Sequence, residues 1–204
     1  MIRKLVMSVL LSLGVVMSAM ASEPQDMLEK VSDQMISELV ANRDKVKQDP
    51  QYIINVINML LVPHFDFDEM SKRVLAVQWR SATDDQKQRF EKEFTQLVVR
   101  TYATAFRSYS DEKVQFVSQR TAEGDPNRVE VKCLIKQTNG QQPIPVNYRL
   151  INKNNIWKVY DLTVDNVSLI SNFRDQFSAS INNQGLDAVI ADIAKRNQEK
   201  LEKK

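Results

Sequence analysis

Covalent catalysis through a Ser–His–Asp or Cys–His pair needs an imidazole beside a nucleophile. This chain offers one histidine, His64, and one cysteine, Cys133. His64 follows Pro63, which ends an apolar helical run, so it reads as a surface or junction residue. Cys133 alternates with Val129, Val131 and Ile135 and reads as a small buried hydrophobe. One Cys and one His cannot build a zinc site, and a lone cysteine forms no internal disulfide. The carboxylates sit in no recognisable glycosidase or protease context, and no Gly-rich phosphate loop is present. Asp66-Phe67-Asp68-Glu69 is acidic but spaced as a helix start: Asp66 as N-cap, Glu69 three residues on, negative charge in the first turn. A calcium loop needs more oxygen ligands at tighter spacing. The sequence thus names no catalytic residue and no metal ligand. A Tyr/Asp proton-transfer site inside a cone of helices and sheet would leave no such signature, so an enzyme of that kind stays open.

The elements that would position any site are organised around Trp157–Phe177. Its first half alternates, with Trp157, Val159 and Asp161 on one side and Tyr160, Leu162 and Val164 on the other, which predicts a strand. Leu169, Ile170, Phe173 and Phe177 then recur at helical spacing, so a helix follows almost at once. Upstream, Asp49-Pro50 opens a helix running to about Val62 that is apolar on most faces. Asp66 opens another, to about Val77. Thr83 and Gln86 form a capping box ahead of a long helix striped with Phe90, Phe94, Tyr102, Phe106 and Tyr109. From Val114 the period becomes two. Strands follow at Val114–Phe116, Arg128–Gln137, Ile144–Leu150 and Ile156–Val164, with hairpin signals at Asn139-Gly140 and Asn154-Asn155. Gly185 divides two final helices, and a charged tail begins at Lys195. The expectation is an α+β fold: a four-stranded twisted antiparallel sheet wrapped by about six helices.

The chain starts Met1-Ile2-Arg3-Lys4, continues with an apolar run from Leu5 to Met17, and reaches Ala19-Met20-Ala21. That is the form of a secretory signal peptide, residues 1–21, cleaved after Ala21. The run is short for a membrane span. Residues 22–204 are then one exported domain. Without Arg3 and Lys4 the basic and acidic residues balance at 26 each, which leaves no basic excess for nucleic acid.

The domain has more apolar wall than a small core needs. The sheet supplies Phe116, Val131, Tyr148, Leu150, Trp157 and Val159. The helices supply Ile57, Tyr102, Phe106, Leu169 and Phe173. A curved sheet wrapped by helices leaves a cavity between such walls, and an apolar cavity accepts an apolar ligand.

Several stretches carry a resemblance. Val74–Thr83, Phe90 with Phe94, Thr101-Tyr102-Ala103, Val159–Leu162, Val167–Phe177 and Gly185–Ile190 together resemble the MlaC family, first labelled toluene-tolerance auxiliary proteins. The chain departs from the family in one place. Members often carry Gly and then an aromatic where Ala76 and Gln78 stand here. The resemblance implies a periplasmic phospholipid carrier, not an enzyme, with a cone of the nuclear-transport-factor-2 class. Its cargo would be phospholipid, with no other cofactor. Its partners would be an outer-membrane lipoprotein–porin complex and an inner-membrane ABC transporter with an MCE-domain subunit, so that it serves outer-membrane lipid asymmetry. Arg174 has two readings: an ion pair with Asp175 or Asp161, or a contact to a phosphate head group or partner carboxylate at the pocket mouth. A periplasmic chaperone for apolar protein segments remains the other alternative.

Overall fold

Five strands form one antiparallel meander in chain order: β1 (Lys113–Ala122), β2 (Asp125–Lys136), β3 (Ile144–Lys153), β4 (Ile156–Val164) and β5 (Val167–Ser168). The computed structural model describes residues 24–109, 111–138 and 140–199. The leader, its cleavage point, Asn139 and the tail from Lys200 lie outside them. The alternation of β2 and β3 builds one apolar face, because cross-strand partners share a face: Val129 opposes Leu150, Val131 opposes Tyr148, and Cys133 opposes Val146. The fifth strand was not expected. Asp165 and Asn166, both at positive φ, turn the chain back so that Val167 pairs with Val164. Asn154 and Asn155 make the same kind of turn between β3 and β4, with φ of 55° and 62°, the backbone of a tight type I′ hairpin. The β2–β3 connection is longer than Asn139-Gly140 suggested, because the ladder closes at Ile135 and Ile144.

The alternation expected along β4 fails at Tyr160. Leu150 pairs with Val159, but Arg149 pairs with Asp161, so Tyr160 is an extra residue. Such a bulge reverses the facing of everything beyond it. Leu162 therefore joins Tyr148 on the apolar face, and Asp161 turns to the opposite face beside Arg149. There its buried carboxylate accepts from Ser168 Oγ and the Ile170 backbone N–H and fixes the start of the next helix.

Among the described residues eight α-helices accompany the sheet, more than the six expected. α1 (Pro24–Ala41) and α2 (Arg43–Gln48) are separated at Asn42. α3 (Pro50–Leu60) starts as expected, with Asp49 accepting from the Gln51 N–H. A 3₁₀ turn, Val62–His64, leads to α4 (Phe67–Leu75). Asp66 caps α4 through the Glu69 N–H at 3.1 Å. The return bond is not made: the Asp66 N–H donates to the Val159 carbonyl, and Glu69 pairs with Arg73. α4 stops short of Val77 because Ala76 sits at φ 49°, ψ −113°. α5 (Val77–Ser81) and the long α6 (Asp84–Arg107) follow, and α6 starts with the full Thr83–Gln86 capping box. α7 (Leu169–Gln184) and α8 (Leu186–Gln198) end the described chain. α8 reaches past Lys195 because Asn197 donates to the Glu93 carbonyl of α6 at 2.9 Å.

α1 lies on β1 and β2, α4 and α7 lie on β4, and α6 packs against α3 and α8. The apolar interior separates into three clusters. The first is an aromatic stack in which Phe94 meets Phe90 at 5.5 Å and Phe173 edge-on at 5.2 Å. The second joins α1, α2, α3 and α6 through Met35, Leu39, Val46, Ile53 and Val99. The third lies on the sheet.

Candidate functional site

The third cluster draws on every strand from β1 to β4. Val129, Val131, Leu150 and Val159 form its floor with Leu28 of α1, all buried. Phe116, Tyr148 and Trp157 stand around that floor, half-buried. Six of the residues expected to line a pocket thus come together here: Phe116, Val131, Tyr148, Leu150, Trp157 and Val159. Register explains it. Phe116 opposes Cys133, Val131 opposes Tyr148, and Leu150 opposes Val159, so the apolar faces of four strands run on without a break.

Depth and accessibility part company at Tyr148. The residue lies so far inside that burial drives its phenol pKa well above the ordinary tyrosine range. The residue nevertheless keeps accessible surface. Deep in the fold and still partly accessible, Tyr148 marks the open side of the third cluster, an apolar recess in the face of the sheet. Cys133 beside it is buried, and burial raises its thiol to about 11. At neutral pH both groups are uncharged, so this part of the recess wall carries no formal charge. A protonated thiol is also a poor nucleophile. His64 has its pKa lowered, first by burial and then by Lys158 and Lys30, and belongs to none of the three clusters. No group of three or more His, Cys, Asp or Glu able to hold a metal occurs among the described residues.

The other expected lining residues lie elsewhere. Ile57 and Phe106 belong to the second cluster, and Tyr102 packs on the first. Leu169 and Phe173 are buried in the first, where Phe173 is engaged by Phe94 and Phe177. Arg174 forms no ion pair with Asp175 or Asp161. Its Nε donates to the Arg73 carbonyl at 3.0 Å, in the last turn of α4, where a cation suits an orphan carbonyl and the helix dipole. A polar cleft of about 490 Å³, lined by Arg120, Thr121, Glu123 and Glu130, opens at the β1–β2 tip. Its charged walls suit water rather than an apolar occupant.

Sequence reasoning missed Met27 and Leu28 of α1 and Phe65, which complete the third cluster. Met27, Leu28, Val31, Met35 and Leu39 recur along α1 at helical spacing, but nothing in a helical period says which sheet the helix meets. Phe65 sits between elements, in a segment with no period to read.

The fold is an α+β domain with helices packed on one antiparallel meander and a partly open apolar cluster on the face of its sheet. The chain belongs to the MlaC family: that family's model, described as MlaC protein, matches residues 29–195. It is similar to an intermembrane phospholipid transport system binding protein MlaC of Haemophilus influenzae, 31% identical over 171 residues, 83% of this chain and 79% of that protein. It is also similar to the toluene tolerance protein ttg2D of Pseudomonas putida, 27% identical over 197 residues, with 93% and 90% of the two chains covered. Among solved structures it resembles a phospholipid-binding protein from Ralstonia solanacearum, solved in complex with a phospholipid. The TM-score is 0.78 at 25% identity, covering 86% of this chain and 97% of the other.

Proposed function

We propose that this protein is a periplasmic phospholipid carrier. Its signal peptide would be residues 1–21, its single carrier domain residues 22–204, and its acyl-chain compartment the recess around Tyr148. The observation that carries this reading is the apolar face shared by four strands, where Phe116, Tyr148 and Trp157 stay half-buried over the floor of Val131, Leu150 and Val159. The names of the relatives and the phospholipid in the Ralstonia structure support it. Among the described residues no helix is long and apolar enough to cross a membrane.

The physics of the cargo favours a closed container. A two-chain phospholipid carries roughly 30 methylenes, each worth about 0.8 kcal/mol when removed from water. Free passage through an aqueous compartment is prohibitive. Exchange between a bilayer and an apolar recess swaps one apolar surrounding for another and is close to neutral. Loading and unloading then require docking. The partners we assign are an outer-membrane lipoprotein–porin complex and an inner-membrane ABC transporter with an MCE-domain subunit. The tails outweigh any single charge-assisted hydrogen bond to the head group, worth about 1.5–3 kcal/mol, so the carrier should tolerate several head groups.

Filling the recess tests this placement. Leu150 is fully buried, and enlarging it would overpack the floor. Phe116 and Tyr148 keep accessible surface and are better sites. The double variant Phe116→Trp, Tyr148→Trp should stay folded and lose most bound phospholipid in native mass spectrometry. Phe94→Ala, in the aromatic stack, should instead cost about 3–5 kcal/mol of stability while the folded fraction keeps its lipid. A folded double variant with undiminished lipid would place the tails elsewhere.

A further inference from the structure

We propose that Val62–Asp66 is a gate on the apolar recess, latched shut by the Lys153–Asp66 ion pair. This rests on the carrier reading above. The three apolar clusters share two residues, both in this segment: Val62 packs on the first and second, and Phe65 on the first and third. Phe65 packs on the third cluster, as Tyr148 and Trp157 do. Displacing the segment would therefore open the recess and loosen all three clusters at one seam, undoing one 3₁₀ turn and the Asp66 cap of α4 but no strand.

The segment's attachments are few. Its own structure is one 3₁₀ turn, with the His64 N–H on Leu61 and the Phe65 N–H on Val62, and such turns have poor hydrogen-bond geometry. To the sheet it makes an isolated parallel bridge, Phe65 to Val159, and one hydrogen bond, Asp66 N–H to the Val159 carbonyl at 2.8 Å. The bridge lies next to the Tyr160 bulge, which bends β4 away from a regular ladder. Two side-chain contacts of Asp66 add to these thin backbone ties: Oδ1 caps α4 through the Glu69 N–H, and Oδ2 meets a cation. Lys153 Nζ, at the far end of β3, lies 2.6 Å from Asp66 Oδ2. It acts as a contact of charges, since Oδ2 makes no aligned hydrogen bond.

The charges around the latch give it direction. Asp66 is buried and Lys153 half-exposed. Asp68 also lies 3.9 Å from Lys153. Glu91 of α6 is close enough to both carboxylates that they raise its pKa, after burial does. Without Lys153 these carboxylates face one another, and Asp66 becomes a buried charge without its cation, an arrangement relieved by moving Asp66 into water. Lys153 reaches solvent, so a docking partner can compete for it from outside.

The test measures the segment and the cargo in the same variants. Lys153→Met, or Lys153→Gln if Met lowers the melting temperature, is compared with Lys153→Arg, which restores a cation. Hydrogen exchange at the amides of residues 61–67 reports opening. Transfer of a fluorescent phosphatidylethanolamine from loaded protein to vesicles of phosphatidylethanolamine and phosphatidylglycerol reports the cargo. Loss of the cation should speed both by about tenfold or more, and Lys153→Arg should stay close to the native rates. Unchanged exchange in Lys153→Met overturns the latch. Faster exchange with unchanged transfer overturns the gate. A protein that never takes up the fluorescent lipid contradicts the carrier reading instead, while the exchange data still decide the latch.

Discussion

Cys133 shows how one residue's environment turns into measurable behaviour. Its burial was legible from sequence, because it alternates with Val129, Val131 and Ile135. In the fold it is buried between Phe116 and Val146 on the sheet ladder, and burial lifts its pKa from 9.0 to about 11. As pH rises through 9 the unfolded thiol deprotonates first, so the unfolded state binds fewer protons and stability falls until about pH 11. One proton contributes a slope of about 1.4 kcal/mol per pH unit. Cys133→Ala should cost on the order of 1 kcal/mol at neutral pH and remove that alkaline slope. Urea melts between pH 8 and 10 check it, and equal slopes in the two proteins would contradict the burial. Tyr160 shows the opposite case. Its side chain fits an alternating strand perfectly well, so the bulge that reverses Asp161 and Leu162 lies in backbone register. Register is a property of two strands together and leaves no mark on one of them.

Elements were most legible where a local interaction decides them. Thr83 and Gln86 satisfy each other within one helical turn, and Asn154-Asn155 carries its own turn preference, so both could be read directly. The joint between α4 and α5 could not. Helical period runs on from Val74 to Val77, yet Ala76 adopts φ 49°, ψ −113°, a region that an L residue enters at a cost of about 1–3 kcal/mol. The surroundings hold it there: Trp79 packs on the aromatic stack, and Arg174 grips the Arg73 carbonyl one turn earlier. Glycine meets no such cost. Ala76→Gly should stabilise the folded protein by about 1 kcal/mol, the relieved strain outweighing the 0.4–1 kcal/mol of added freedom in the unfolded chain. A denaturation midpoint that falls in the glycine variant would show that the joint is not strained.

At the scale of the whole molecule, apolar residues divide into those that pack and those that line. The sequence shows hydrophobicity and period, and both are the same for Phe173, locked against Phe94 and Phe177, and for Phe116, half-buried at the recess. Only the meeting of three clusters separates them. The shared face of the sheet residues was therefore readable strand by strand, whereas Ile57, Tyr102, Phe106, Leu169 and Phe173, grouped with them by period alone, pack in the other two clusters. Phe65 went unnoticed because its role comes from where two clusters meet, not from any repeat. The central claim is that the recess holds phospholipid tails. Native mass spectrometry of the protein taken from the periplasm, without added lipid or detergent, tests it most directly. We expect a folded protein carrying intact phospholipid of more than one head group. A folded protein that is bare, or that carries peptide in place of lipid, would contradict it.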